Sequence, residues 1–470
     1  MFGDINIVII IELSNSLAFS ITLFEYLRNL NEVTMRTIIF ITTLLLMTGH
    51  MAMAAEIKNY TLHISKINQE AANLHITCSF SLDFQNEDSI SMNLGGGQEF
   101  SIENLKVDGD TLEYEYNREA KNIVIRKKAK RSVHVTINYN YTNLSAFFIY
   151  GEGDTELWET SFGEHFYPYI PNKYMNVAIN VETPDSLSFL CSYPLESSHT
   201  TNYSGKLKHI LSQSITLAFM RNNAYQQTTA YLPDKVSVYQ IKDMQCGKKR
   251  YEELLQLTKA SIVFFSKVYG EDYISDARNV TTFPIYLFHN GKGFSNRYNI
   301  GFISASQKKF SSYPDIYPLI HEIGHRWLGE WTLLIDDGEP GAYFMKESLN
   351  EFMTLLFIRR FYGRQSYETQ LDKCRSEYEK IKGTYQDVPI IDVVENNNNT
   401  VVYRKGPLVL DRIAKEIGYN EWIAIISRFY REYAGKYPLK YTDFINLVNE
   451  SHAGIGDKLN LLLTSKSLQL

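Results

Sequence analysis

Residues 321–325 read His321-Glu322-Ile323-Gly324-His325, and no other feature of this chain limits its fold so tightly. Two imidazoles four residues apart reach one point only if the backbone between them is helical, because positions i and i+4 share a face one turn apart. The flanks Tyr317, Leu319, Ile320, Ile323, Trp327 and Leu328 are apolar, so the helix is expected inside a core, where unpaired imidazoles need a reason. Convergence on one zinc is such a reason, with Glu322 beside the open metal position as a potential general base. Composition alone produces this pattern in about one such chain in a hundred, so two ordinary histidines on a surface helix are the competing reading. The apolar flanks count against it.

A catalytic zinc takes three protein ligands and a water, so a third ligand is required from a neighbouring helix. Glu347 and Glu351 stand one turn apart on a helix expected over residues 346–362, which is otherwise apolar through Leu349, Phe352, Leu355, Leu356 and Phe357. A carboxylate on such a face is costly unless it is paired or bound to metal. Spacing does not choose between the two.

With 470 residues the chain is long enough for two or three domains, and its texture changes once. From Ile57 to about Tyr239 it runs in short β-rich stretches, 60–64, 122–125, 132–141, 174–181 and 214–220, separated by turn signals such as Gly95-Gly96-Gly97. The 33 Tyr and 26 Phe suit an antiparallel sandwich or saddle, where aromatic side chains fit a pleated surface. The basic cluster Arg126, Lys127, Lys128, Lys130 and Arg131 reads as a solvated hairpin tip between two of these strands. After Cys246 the period becomes helical, over 251–269, 346–362, 367–381, 408–417 and 421–433, with a strand expected at 284–288. The fold class is therefore α+β, a β-rich domain over 56–240 followed by a mainly helical domain over 245–470.

A net charge of −6 offers no field for a phosphate backbone, which excludes nucleic acid as a partner. Met35 and Arg36, the apolar run Ile38 to Met47 and the small-x-small Ala52-Met53-Ala54 read as a secretory signal over 35–54, so residues 1–34 are not expected in the native product. This implies export to the periplasm or the exterior and no membrane span once the signal is removed; an uncleaved anchor is the alternative. Cys78, Cys191, Cys246 and Cys374 have no C-x-x-C spacing, and no bridge is assigned.

The run His321 to Gly329, H-E-I-G-H-R-W-L-G, together with Leu349-Asn350-Glu351 and Tyr403-Arg404-Lys405-Gly406, resembles the zinc signature, the L-N-E-G run and the Y-x-K-G motif of the M1 aminopeptidases. The likeness covers roughly 245–455 and is faint in the β-rich half, where Tyr167-Pro168 and Glu182-Thr183-Pro184 occupy places like the family's strand landmarks. It implies a thermolysin-like gluzincin peptidase domain with one zinc per chain. His321, His325 and Glu351 would be the ligands, Glu322 the base and Tyr403 the oxyanion donor.

Several departures stand beside the likeness. Between His325 and Glu351 lie 25 residues where the family usually has 18, so a loop near residues 336–341 reads as an insertion, and Phe352 replaces the usual Gly. The G-x-M-E-N run that holds a substrate's free amine is missing, with Asn296 where the family has Glu and Arg297 beside it. Glu159 falls where the family's first domain places a Gln or Glu that touches the amine. The large C-terminal helical domain of bigger members has no counterpart after Leu463. The expected activity is hydrolysis of peptide or protein substrates, with aminopeptidase specificity open because the amine anchor is altered. The alternatives are an endopeptidase or a non-catalytic peptide-binding protein on a peptidase scaffold.

Overall fold

The computed structural model describes residues 56–68, 73–85, 87–95, 100–108, 112–127, 132–143, 157–159, 165–191, 193, 195–199, 201–221, 225–231, 235–241, 248–270, 282–288, 297–299, 302–306, 317–329, 333–336, 338–394 and 398–468. The signal read at 35–54 lies outside them, as do Cys246 and Asn296. Almost all described residues belong to one compact unit, Glu56–Phe84 with Asp88–Leu470.

The first half is strand-built because its side chains alternate. In Asn73–Asp83, Leu74, Ile76, Cys78, Phe80 and Leu82 point into the core, while Asn73, His75, Thr77 and Ser79 face the other way. The outward set is not left bare. His75, Thr77 and Asn73 hydrogen-bond across to Asn140, Asn138 and Thr142 of the neighbouring strand Ser132–Asn143. The seven-stranded sheet runs in the order Glu196–His199, Asn202–Leu211, Tyr174–Glu182, Glu56–Asn68, Asn73–Asp83, Ser132–Asn143, Phe100–Asp108. It is antiparallel except where Glu56–Asn68 lies parallel to Tyr174–Glu182.

Much of the tyrosine content is explained here. Tyr60 and Tyr139 are fully buried, and their hydroxyls donate to the carbonyls of Pro168 and Phe166 at 2.7 and 2.6 Å. These acceptors lie in His165–Tyr169, a strand of the separate four-stranded sheet, so each phenol fills apolar space and ties one layer to the other.

One expectation is corrected. The strands on either side of the basic cluster do not form a hairpin with each other, because Asn122–Lys127 pairs in the four-stranded sheet while Ser132–Asn143 pairs in the seven-stranded one. One sheet draws strands from both sides of the change of texture near 240–247. Tyr225–Tyr231 and Lys235–Ile241 share a five-stranded sheet with Thr282–Phe288, Phe302–Ser306 and Arg297–Asn299. Of the cysteines, Cys78 and Cys374 form no disulfide, and burial pushes each thiol up to about 12.

The second half packs helices around the segment that carries His321. In chain order among the described residues they are α1 (Lys248–Tyr269), α2 (Tyr317–Gly324), α3 (Leu349–Phe361), α4 (Arg364–Glu379), α5 (Gly406–Ile417), α6 (Tyr419–Tyr433), α7 (Tyr441–Ser451) and α8 (Ile455–Thr464). Every residue of α3 from Leu349 to Ile358 is buried, which makes it the central helix of this half. Helix α5 stops at Gly418, whose φ of 97° lets the chain turn straight into α6. Around α3, Phe352 meets Trp422 edge-on at 6.0 Å, and Trp422 meets Phe444 at 5.9 Å. No described helix is long and apolar enough to cross a membrane.

Candidate metal centre

Helix α2 is short and apolar, begins with Pro318 in its first turn, where the missing N–H costs nothing, and buries Leu319, Ile320 and Ile323. His321 and Glu322 lie on it. His325 follows one turn later, its N–H donating to the His321 carbonyl at 3.3 Å, so both imidazoles stand on one face with ring centroids 4.6 Å apart.

Helix α3 crosses α2 closely because residue 324 is glycine. A Cβ there would overlap the side-chain oxygen of Asn350 and press on Phe265 at 3.0 Å. Asn350 uses the approach to donate its Nδ2 to the His321 carbonyl at 2.7 Å. Gly324→Ala is therefore expected to cost about 1–3 kcal/mol, as overpacking does, and to free that carbonyl. A lowered denaturant midpoint with weakened metal retention would show it; a wild-type midpoint would contradict the close crossing.

The carboxylate that joins the imidazoles is Glu347, not Glu351. Glu347 Oε2 lies 3.2 Å from His321 Nε2 and 3.3 Å from His325 Nε2, and the three donor atoms fall within 4.8 Å of one another. Ligands about 2.0–2.1 Å from a tetrahedral zinc sit about 3.3 Å apart, and the two separations from Glu347 match that spacing. Glu351 lies on the opposite side of the same ring, its Oε2 2.8 Å from His321 Nδ1. The expectation that Glu351 meets the paired imidazoles at their converging nitrogens is thus corrected. The interval from His325 to Glu347 holds 21 residues (326–346), closer to 18 than the 25 counted to Glu351.

Two five-residue π-helical turns present the remaining groups. Phe344–Ser348 carries Glu347 into α3, and Val401–Lys405 carries Tyr403 into α5. Such turns are often found at functional sites because the wider loop redirects a side chain. They meet where Ser348 Oγ donates to the Val402 carbonyl at 2.8 Å. The Tyr403 hydroxyl donates to Glu347 Oε2 at 2.9 Å, and Glu322 lies near enough to act on the charge of both His325 and Tyr403.

The next shell fixes the rings. His325 Nδ1 sits 2.9 Å from the Leu328 carbonyl, which requires its N–H there and leaves Nε2 for a metal. Glu351, almost fully buried, is shared between His321 Nδ1 and Arg404 Nη1 at 3.2 Å, and Arg404 Nε also pairs with Glu377 of α4. Sequence reasoning missed Arg404, Glu377 and the buried pair Lys405–Asp387. The signal for the last was the lysine of the Tyr403–Gly406 run.

Without a metal the two imidazoles bind protons more readily than usual, and Glu347 less. Burial pushes His321 down, but Glu347 and Glu351 outweigh it and raise the imidazole to about 10. His325 is also raised, chiefly by Glu347 against burial, and Glu347 is held well below the usual carboxylate range by the two histidines although burial opposes this. Histidine titrates near 6.5 when unfolded, so His321 stabilises the metal-free fold fully below about pH 6.5 and loses this as pH rises through about 10. Glu347 contributes above its unfolded value of about 4.5 and loses this as pH falls. Zinc needs neutral imidazoles, so its uptake at pH 7 should release about one to two protons, and affinity should rise about ten- to a hundredfold per pH unit. Calorimetry in buffers of different ionisation enthalpy counts the protons; no release would contradict the protonated metal-free state.

Other site expectations rest elsewhere. Glu159 ends the strand Leu157–Glu159, opposite Ala218, and Arg297 opens the strand Arg297–Asn299, opposite Ser304. With Asn296 outside the described residues, the substrate-binding expectation for these three lies outside the described side chains.

No family model matches the chain, and no curated protein matches its sequence. Solved structures do match its fold. The chain is similar to an M1 zinc metallopeptidase from Deinococcus radiodurans, with a TM-score of 0.65 at 12% identity over 89% of this chain and 96% of that one. A mutant of that organism's M1 zinc metallopeptidase bound to a Tyr-Ser-Ala substrate gives 0.64 at 12% identity over the same shares. Native leukotriene A4 hydrolase from Saccharomyces cerevisiae gives 0.67 at 14% identity over 88% of this chain and 68% of that one. The α+β architecture, a β-rich first part followed by a mainly helical part, is therefore that of the M1 zinc metallopeptidases.

Proposed function

We propose that this protein is an M1-like gluzincin that hydrolyses peptide bonds, with one zinc held by His321, His325 and Glu347. The observation that carries this reading is the convergence of those three donors within 4.8 Å of one another, with Glu347 Oε2 3.2 and 3.3 Å from the two imidazoles and Tyr403 on the same carboxylate oxygen. Zinc, when bound, supplies Lewis acidity toward a carbonyl oxygen and lowers the pKa of a coordinated water to about 7. Glu322 takes the proton of the attacking water and returns it to the leaving amine. The Tyr403 phenol, raised far above an ordinary tyrosine by burial and by Glu347, stays protonated and donates to the developing oxyanion. Glu351, with Oε2 2.8 Å from His321 Nδ1, favours through its charge a proton on that nitrogen and so Nε2 for the metal, and Arg404 pairs with Glu351.

Export by the signal at 35–54 belongs to this reading, and a mature chain beginning near Ala55 is its expected product. Because Asn296 and Arg297 supply no negative charge for an amine, weak discrimination between free and acetylated amino termini is expected, with any preference for the free amine carried by Glu159. The test is a peptide library offered in matched free and N-acetylated forms. Zinc-dependent cleavage is expected, lowered about 10²- to 10³-fold in Tyr403→Phe, as for loss of one oxyanion donor. A zinc-loaded protein that binds peptides but cleaves none would replace this reading with the non-catalytic one.

A further inference from the structure

Two residues after Tyr403 the chain buries a lysine completely. Lys405 and Asp387 are both 0% exposed, with Lys405 Nζ 3.0 Å from Asp387 Oδ1. The ammonium also donates to the Val388 carbonyl at 2.8 Å, the Ser465 carbonyl at 3.0 Å and the Lys466 carbonyl at 2.7 Å. Asp387 in turn accepts from Gly383 N–H at 3.0 Å, from Ser467 Oγ at 2.8 Å and from the Tyr378 hydroxyl. Leu468 N–H donates to that hydroxyl at 3.0 Å. One buried cation thus joins three stretches far apart in sequence: the turn 401–405, the loop 383–388 and the segment 465–468.

The position of this clamp gives it a second consequence. Lys405 is the last residue of the π-helical turn that presents Tyr403, and the start of that turn is held from the other side by Ser348. Tyr403 itself is only half-buried, and its hydroxyl bond to Glu347 is made by a side chain whose backbone must be fixed from elsewhere. A fully buried ion pair is a poor source of net stability, since apolar groups of similar volume often do as well. Fixing a reactive group is different, because a displacement of about 1 Å can cost on the order of 10²-fold in rate.

We propose that Lys405 is a positioning residue for Tyr403, and that Asp387 and the segment Ser465–Leu468 complete the socket that makes it one. This rests on the reading of Tyr403 as oxyanion donor.

The double substitution Lys405→Met with Asp387→Leu replaces the pair by apolar side chains, an exchange the fold is expected to accept. Its zinc content and KM should stay near wild type while kcat falls about 10²-fold, and adding Tyr403→Phe should bring little further loss, since both changes remove one contribution. Ser467→Ala leaves the ion pair in place and removes one bond to Asp387; it should lower kcat several-fold with KM unchanged, and it carries the test if the double variant does not fold. In the metal-free protein, amides of 401–406 should exchange about tenfold faster in both variants while 317–324 stays protected. Wild-type exchange in 401–406, unaltered kcat in a folded variant, or losses that multiply with Tyr403→Phe would overturn the proposal. If the exchange rises but Tyr403→Phe alone keeps full kcat, the clamp stands and the catalytic reading of Tyr403 is what has failed.

Discussion

Glu322→Gln should retain zinc and fold yet lose peptide hydrolysis by about 10²- to 10⁴-fold, the usual contribution of a positioned general base. The substitution is nearly isosteric, leaves His321, His325 and Glu347 untouched, and removes only the carboxylate that lies within electrostatic reach of His325 and Tyr403. Metal content and the thermal midpoint measured with kcat separate lost chemistry from lost structure. Full activity in Glu322→Gln would remove it from the mechanism.

The second large effect concerns the metal. Glu347→Gln is expected to weaken zinc binding by about 10²- to 10³-fold, roughly one ligand's share of the ~10–16 kcal/mol typical of a four-ligand zinc site. Glu351→Gln should weaken it by about 10- to 100-fold, as for an outer partner of a ligating histidine, and should leave Arg404 with Glu377 as its charged partner among the described residues. Competition with a chelator measures both. If Glu351→Gln loses zinc while Glu347→Gln keeps it, the donor set is wrong.

These two carboxylates show where sequence reading stops. Both were visible as costly acids on one apolar helix, and both act on His321, Glu347 at Nε2 and Glu351 at Nδ1. One helical turn separates them by about 5.4 Å, so the single imidazole fits between them, and a pattern of spacings treats the two sides of a ring as equal. The Leu-Asn-Glu likeness pointed to Glu351. The carboxylate at the converging nitrogens belongs instead to Lys346-Glu347-Ser348, and Phe352, which looked like a replaced glycine, is a core residue against Trp422.

The sequence by itself determined the local features: the alternation of 73–83, the helical period of 408–417 and 421–433, and the i, i+4 pair at His321 and His325. Each is set by neighbours within a few residues, through side-chain periodicity and helix-stopping glycine. Only the tertiary structure decided that Asn122–Lys127 and Ser132–Asn143 lie in different sheets, that Glu347 faces the converging nitrogens, and that Lys405 is sealed by residues 60 positions away. Those outcomes depend on how packed layers and crossing helices meet. Here the meeting is set by contacts such as Gly324 against Asn350, and a one-dimensional pattern does not encode the distance of closest approach between two elements.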